Sequence, residues 1–127
     1  MLAGLLAGTA GASVRAGDSA GQLLQRADRV KTSDPAEFAA VLRQLDGGEV
    51  RLSPEEQLYL DYLKAWRIAY QGDYKKSITL LDQVIARSDN ATLRLRAGFT
   101  AVNIFGIATR YEDAFSWLDP LRDQLAT

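Results

Sequence analysis

The chain has 127 residues, of which 47% are hydrophobic and 24% charged, so it has the length and composition of one globular domain. Its 15 basic and 16 acidic residues give a net charge of −1 without a basic block, which argues against a nucleic-acid partner. Because the sequence has no histidine and no cysteine, it excludes histidine acid–base catalysis, disulfides, and histidine or thiolate metal sites.

The first 17 residues differ in composition from the rest of the chain. They are almost entirely Ala, Gly, Leu, Val, Ser and Thr. A short apolar run from Leu2 to Ala10 precedes small residues at Ser13 and Ala16, which is typical of the second half of a secretory signal and its cleavage site. We therefore predict residues 1–17 to be signal-like, with a disordered tail as the alternative, and residues 18–127 to form the folded domain. The apolar run is shorter than the roughly 20 residues that span a bilayer.

Beyond this segment, apolar residues recur at helical spacing, and no stretch alternates apolar and polar residues long enough to predict a strand. The pattern predicts a first helix from about Ala20 to Val30. A second helix should begin at Asp34, which can cap it, with Glu37 reaching back to the cap. The glycine pair 47–48 should end this helix, because glycine tolerates the left-handed conformation past a helix terminus.

Ser53 gives the same start signal for a third helix, which should run to about Gln71. Gly72 and Asp73 then form a turn, because glycine and aspartate are common turn residues, and a fourth helix follows. This fourth helix should end at the polar turn formed by residues 88–90.

A fifth helix is expected from about Ala91 to Ala108, and a sixth from about Arg110 onward. Pro120 lies inside the sixth. It should kink or break that helix, because proline removes one helical hydrogen bond and clashes with the preceding turn. The sequence therefore predicts an all-α protein of about six helices.

The fourth and sixth predicted helices share a pattern of residue types. Shifting the fourth by 37 positions aligns three residues with similar counterparts: Tyr74 with Tyr111, Ser77 with Ala114, and Leu81 with Leu118. A small residue allows two helices to approach closely, and a tyrosine at a helix start can fill the space beneath the turn. The period predicts three helical hairpins, at about residues 20–50, 53–88 and 90–127, stacked as a right-handed solenoid.

Two stretches, GDYKKSITLL and TRYEDAFSWL, resemble the turn and second helix of tetratricopeptide repeats. In the first helices, Ala65 and Val102 fall where that family has a small residue, and Ile68 and Phe105 where it has an aromatic one. The resemblance implies a concave groove, lined by the first helix of each repeat, that binds extended peptides.

A narrower resemblance covers about residues 20 to 127, which are similar to the exported N-terminal repeat regions of bacterial GGDEF proteins of the Xanthomonas group. In those proteins the repeats precede a membrane span and a cytoplasmic diguanylate cyclase domain, which makes cyclic di-GMP from two GTP on a magnesium site. The chain has no GGDEF motif of its own, so we expect no enzymatic activity and no cofactor from it. The resemblance implies a periplasmic sensory region of a longer protein, with a cytoplasmic location as the alternative.

Aromatic residues on one face of the third helix are the candidate binding surface. Together with residues of the fifth helix, they are the predicted lining of the groove: Tyr59, Tyr62, Trp66, Tyr70, Arg96, Phe99 and Asn103. An asparagine there can hydrogen-bond a peptide backbone, and an arginine can bind a carboxylate. The alternative is that the aromatic side chains fill the core between repeats.

These observations predict a binding module without a catalytic residue. The leading hypothesis is a sensory domain that regulates an attached diguanylate cyclase, and the alternative is a free-standing tetratricopeptide-type scaffold. The expected partner is a protein, a peptide or a small ligand, or a second copy of the chain. A membrane would be involved only through a downstream segment that this sequence lacks.

Overall fold

A computed structural model describes residues 19–126, with side chains described for residues 19–112 and for Ser116. These residues form helices and no strands, which confirms the all-α prediction. There are five helices in this part of the chain: α1 (Ala20–Val30), α2 (Pro35–Asp46), α3 (Pro54–Tyr70), α4 (Tyr74–Arg87) and α5 (Ala91–Ala126).

Side-chain caps explain where the first four helices begin. Ser53 accepts a hydrogen bond from the Glu56 backbone N–H at 3.1 Å, and the Glu56 carboxylate accepts one from the Ser53 N–H at 2.9 Å. Ser19 makes the same reciprocal arrangement at α1, while Asp34 and Asp73 cap α2 and α4. Each cap satisfies backbone donors that the first turn of a helix leaves unpaired.

Glu37 does not complete the reciprocal cap that the sequence predicts for α2. Its carboxylate instead accepts a hydrogen bond from the Arg26 Nε of α1 at 2.5 Å. The charged arginine is the stronger donor, so the pair joins α2 to α1 rather than reinforcing the start of α2.

Helices that follow each other in the chain pack against each other. The α1–α2 and α3–α4 pairs form hairpins, α3 also contacts α1 and α2, and α5 packs on α4 and α3. Leucine and valine side chains from the first four helices fill a continuous core, with 2% exposure or less at Leu23, Leu24, Val41, Leu45, Leu60, Leu63, Leu81 and Val84. From α5, Leu93, Ala97 and Ile104 extend this core.

The predicted break between a fifth and a sixth helix is wrong. Helix α5 continues without interruption through positions 109 and 110 and also through Pro120. At the α3–α4 turn, Gly72 adopts a φ of 96° and Asp73 caps the next helix. The junction at 109–110 has no such glycine, and the Thr109 hydroxyl donates to the Phe105 carbonyl at 2.9 Å, so this hydroxyl is bonded inside the helix and caps nothing.

Residues 90–127 therefore do not form a third hairpin in the described part of the chain, and Tyr74 and Tyr111 do not occupy equivalent hairpins. Their rings stack on each other, with centroids 5.9 Å apart and planes 13° from parallel. Tyr111 lies about 20 residues beyond the start of α5, or roughly 30 Å along it. The start of α4 thus packs beside a distant part of α5.

The structure places the other predicted packing residues as follows. Ser77 is fully buried where α4 crosses α3, and its hydroxyl donates to the Ala65 carbonyl at 2.8 Å. Leu81 is fully buried one turn further along α4. The side chains of Ala114 and Leu118 lie outside the described residues, as does the signal-like segment 1–17. Among the helices described, none is both long enough and apolar enough to cross a membrane.

Candidate functional site

The residues predicted to line a groove differ in exposure. Tyr62 is only 3% exposed and belongs to the core. Tyr59, Trp66 and Arg96 are half-buried. At the far end, Tyr70 is 71% exposed, and Asn103 is also exposed. Phe99 is 65% exposed, but it precedes Thr100, which contacts Tyr62 of the core. The surface is therefore closed near Tyr59 and open near Tyr70.

An aspartate from α1 closes the end of this surface near Tyr59. The Asp28 carboxylate accepts two hydrogen bonds from the Arg96 guanidinium, at 2.7 and 2.9 Å, and one from the Lys31 Nζ at 2.5 Å. The Tyr59 hydroxyl donates to the same carboxylate. Only 15% of the Asp28 side chain is exposed. The carboxylate therefore links α1 to both α3 and α5.

Each of the two cations that contact Asp28 lies over one aromatic ring. The Arg96 guanidinium lies 5.0 Å from the centre of the Tyr62 ring, and the Lys31 Nζ lies 5.3 Å from that of Trp66. The Trp66 indole donates to the Tyr62 hydroxyl at 3.2 Å. We call these six residues the Asp28 network: Asp28, Lys31, Tyr59, Tyr62, Trp66 and Arg96.

The charges within the network shift the pKa values of its members. Burial alone would raise the pKa of Asp28, but the hydrogen bonds from Arg96, Lys31 and Tyr59 outweigh it and hold the pKa well below its usual range. Burial and the hydrogen bond to the charged Asp28 raise the pKa of Tyr59 to about 12. The hydrogen bonds to Asp28 raise the pKa of Arg96 above its already high value.

Asp28, Tyr59 and Arg96 are consequently fixed in one charge state near neutral pH, as an ionised carboxylate, a neutral phenol and a charged guanidinium. A general acid or base needs a pKa near the working pH, so these groups are poorly suited to proton transfer. Among the described residues, no cluster of three or more acidic side chains is placed to hold a metal ion. Arg96, which the sequence predicts as a ligand for a foreign carboxylate, binds the carboxylate of Asp28 instead.

The open end of the surface is a cleft of about 670 Å³ between the end of α3, the start of α4 and the middle of α5. Its walls are mainly apolar and aromatic, with a few polar groups: Trp66, Ala69, Tyr70, Tyr74, Thr100, Val102, Asn103, Ile104, Gly106, Ile107 and Arg110. This volume lies within the roughly 300–1,000 Å³ of small-ligand sites, and apolar walls with a few polar groups are their usual lining.

Three of the predicted groove residues reach the cleft: Trp66, Tyr70 and Asn103. Tyr59, Tyr62 and Arg96 belong to the closed end, and Phe99 lies outside the cleft lining. Sequence reasoning missed Arg110 as a lining residue because it placed the start of a new helix there. It also missed Asp28, whose only local signal is its own charge, one helical turn after the buried Leu24.

No known protein family matches the sequence, and neither the curated proteins nor the solved structures include one with significant similarity to it. The functional interpretation therefore depends on the geometry of the cleft and on the chemistry of its walls.

Proposed function

We propose that this chain is a ligand-binding helical-repeat module, and that its cleft binds an extended peptide segment that ends in a carboxylate. The observation that carries the proposal is the cleft itself, which combines three aromatic side chains with an amide and a guanidinium. The aromatic walls of Trp66, Tyr70 and Tyr74 suit an apolar side chain of the peptide.

The polar groups supply the specificity of the proposed site. Asn103 carries both a donor and an acceptor, which matches the N–H and C=O of a peptide backbone. Arg110 is exposed about two turns further along α5 and offers the planar pair of donors that suits a carboxylate. Arg96 is hydrogen-bonded to Asp28 and lies outside the cleft lining, so Arg110 is the cleft residue that would bind the terminal carboxylate.

A tetratricopeptide-like solenoid is the arrangement that we propose for the helices. The packing of the α1–α2 hairpin on α3, and of the single helix α5 on the α3–α4 hairpin, supports it, with α1, α3 and α5 as the first helices of successive units. In that arrangement the cleft occupies the concave side. Here α5 would continue beyond the length of an ordinary repeat helix.

Fluorescence titration with short peptides tests the binding proposal. With Trp117 replaced by Phe, Trp66 is the sole tryptophan and reports on the cleft. The probes are N-acetylated pentapeptides of apolar residues, each prepared with a free C-terminal carboxylate and as the C-terminal amide. We expect the carboxylates to bind and Arg110→Gln to weaken them by about tenfold, the loss of one charge-assisted contact.

Arg87→Gln is the matched control, because Arg87 is exposed in the last turn of α4, away from the cleft. It removes the same charge and should leave peptide affinity unchanged. Equal losses in the two variants, or equal affinity for carboxylates and amides, would remove Arg110 from the site. No fluorescence change with any peptide would refute the binding proposal.

We further propose that the module is exported and regulates an attached diguanylate cyclase, as the GGDEF resemblance implies. The gene sequence downstream of Thr127 tests this second proposal separately. An open frame encoding a membrane span and a GGDEF domain would support it, and a nearby stop codon without either would favour the free-standing scaffold. Export itself can be measured with a C-terminal phosphatase fusion that is active only outside the cytoplasm.

A further inference from the structure

Helix α5 has a second apolar face, opposite the one that packs on α3 and α4. Leu93, Ala97 and Ile104 are buried on the inner side. The outer side carries four large apolar residues that are 61–70% exposed: Leu95, Phe99, Val102 and Phe105. A monomeric soluble protein rarely exposes a contiguous apolar patch without a use for it, so this outer face requires a partner.

The outer face is arranged symmetrically about Val102. At about 100° per residue, Phe99 and Phe105 lie roughly 60° to either side of the Val102 direction, three residues before and after it. Gly98 and Gly106 lie roughly 40° to either side, four residues before and after it. A methyl group added at either glycine would meet none of the described side chains, so packing within the chain does not require a glycine there.

We propose that this face binds the same face of a second copy of the chain, with the two α5 helices antiparallel and a twofold axis at Val102. A twofold interface must be complementary to itself, and this surface meets that condition. In the antiparallel arrangement, Phe99 of one copy lies opposite the notch at Gly106 of the second copy. Phe105 lies opposite Gly98 in the same way, so that each ring enters a notch.

The charges at the edge of the face fit the same arrangement. Arg94 and Glu112 are exposed and lie on one flank of α5, near its start and beyond its middle. Antiparallel pairing brings Arg94 of each copy beside Glu112 of the other. It also makes the two helix dipoles antiparallel, which is their favourable arrangement. A parallel pair would hold Arg94 and Glu112 roughly 27 Å apart. Arg96 is held by Asp28 within each copy, so it is not placed to pair across either arrangement.

The area of the face is also adequate. An aromatic side chain buries roughly 150–250 Å², and the two phenylalanines are about two-thirds exposed. With Leu95 and Val102 the four side chains offer on the order of 450 Å² per copy, or about 900 Å² in the pair. Their flanking residues bring the total to the roughly 1,000 Å² that a specific interface needs.

Sedimentation equilibrium of the full chain measures the association. We expect a dimer at micromolar concentration, and Val102→Glu should weaken it at least about 100-fold, because each interface would bury two charges at its centre. Val102 is 70% exposed, so the circular dichroism of this variant should be unchanged. Thr79→Glu, at an exposed site on α4, is the control and should remain dimeric. A monomeric parent chain, or a dimeric Val102→Glu variant, would overturn the proposal.

Charge exchange tests the orientation. Arg94→Glu or Glu112→Arg alone should weaken the dimer by about threefold to tenfold, and the two together should restore it. Failure of the double variant to recover would refute the antiparallel pairing. Because the chain has no native cysteine, Val102→Cys gives a second measurement: oxidation should cross-link it across the axis, and Thr79→Cys should stay uncross-linked. Val102 and Gly106 also line the edge of the cleft, so the dimer and a bound peptide would share these two residues. None of these experiments uses a cleft ligand, so their failure and that of the peptide proposal are distinguishable.

Discussion

The two ends of the aromatic surface on α3 carry the same residue type in different surroundings. Near the start of the helix, Tyr59 and Tyr62 are covered by α1 and α5, and Asp28 supplies the charge that holds Arg96 over them. At its last residue, Tyr70 is 71% exposed and lines the cleft. Helix α1 ends at Val30, so it supplies a counter-charge only to the first end.

The contrast shows that an aromatic stripe alone does not define a binding groove. A neighbouring helix converts half of the stripe into core and leaves the other half available. Trp66 lies at the boundary, because it belongs to the Asp28 network, where it donates to the Tyr62 hydroxyl, and also lines the cleft. The stability of the closed end should therefore be separable from ligand binding at the open end, and substitutions at each end can test this.

The largest expected effect comes from truncating a tyrosine at each end. Tyr62→Ala should reduce the free energy of unfolding by about 3–5 kcal/mol, because it opens a cavity in the core and removes the hydrogen bond to Trp66. Tyr70→Ala should change it by less than about 0.5 kcal/mol. Urea denaturation followed by circular dichroism measures both. Similar losses at the two positions would show that the surface is not divided as described.

The next largest effect concerns the carboxylate that closes the first end. Asp28→Asn should cost about 2–3 kcal/mol, because it removes charged hydrogen bonds and leaves Arg96 and Lys31 without their counter-charge. Asp46→Asn is the matched control: Asp46 pairs with Lys64 at 3.1 Å, but the Asp46 side chain is 55% exposed, against 15% for Asp28. It should cost less than about 1 kcal/mol. Equal values for the two variants would contradict a structural role for the network.

The stability lost in the Asp28→Asn variant should also depend on pH. The pKa of Asp28 is lowered in the folded state, so its contribution to stability is complete above the unfolded pKa of about 3.9. That contribution is lost as the pH falls from about 4 toward the folded-state pKa. The stability difference between the parent chain and the variant should therefore shrink below pH 4, while the Asp46→Asn difference stays small throughout. A difference that remains constant down to pH 2 would contradict the assigned hydrogen bonds.

The closed end also shows how far sequence reasoning reaches. Helix starts at Ser53 and Asp34 could be predicted, because a cap needs only residues three positions apart. Gly48, which has a φ of 88°, fits the predicted end of α2 for the same local reason. The pairing of Asp28 with Arg96 joins residues 68 positions apart, and no local pattern connects them. The open end was only partly predictable. Its aromatic residues could be recognised in the sequence, but the position of Arg110 in the cleft lining follows only from the continuation of α5.

The continuity of α5 is the clearest case of a pattern that misled. Apolar residues shifted by 37 positions predicted a second hairpin, yet two consecutive helices need a turn between them, and residues 109–110 provide no glycine. Thr109 can cap a helix, but its hydroxyl is equally able to bond the carbonyl four residues back, as it does here. Periodicity gives the apolar faces of a helix and says little about where that helix ends.

The smallest expected effect concerns the titration of Tyr59 at the closed end. The pKa of Tyr59 is raised to about 12 in the folded state, against an ordinary value near 10. A raised pKa means that the neutral phenol contributes stability that is complete below pH 10 and is lost as the pH rises from 10 to 12. Tyr59→Phe lacks this hydroxyl, so the advantage of the parent chain over the variant, about 1 kcal/mol at pH 8, should decline across that window.

Tyr70→Phe is the control for this experiment, because Tyr70 is exposed at the open end. Comparing each variant with the parent chain cancels the titration of the lysines and of the remaining tyrosines, which all of these chains share. A Tyr59→Phe difference that stays flat from pH 10 to 12 would mean that the phenol ionises as readily in the folded chain as in the unfolded one. In that case Tyr59 would not be hydrogen-bonded to a charged carboxylate, and the closed end would be held by Arg96 and Lys31 alone.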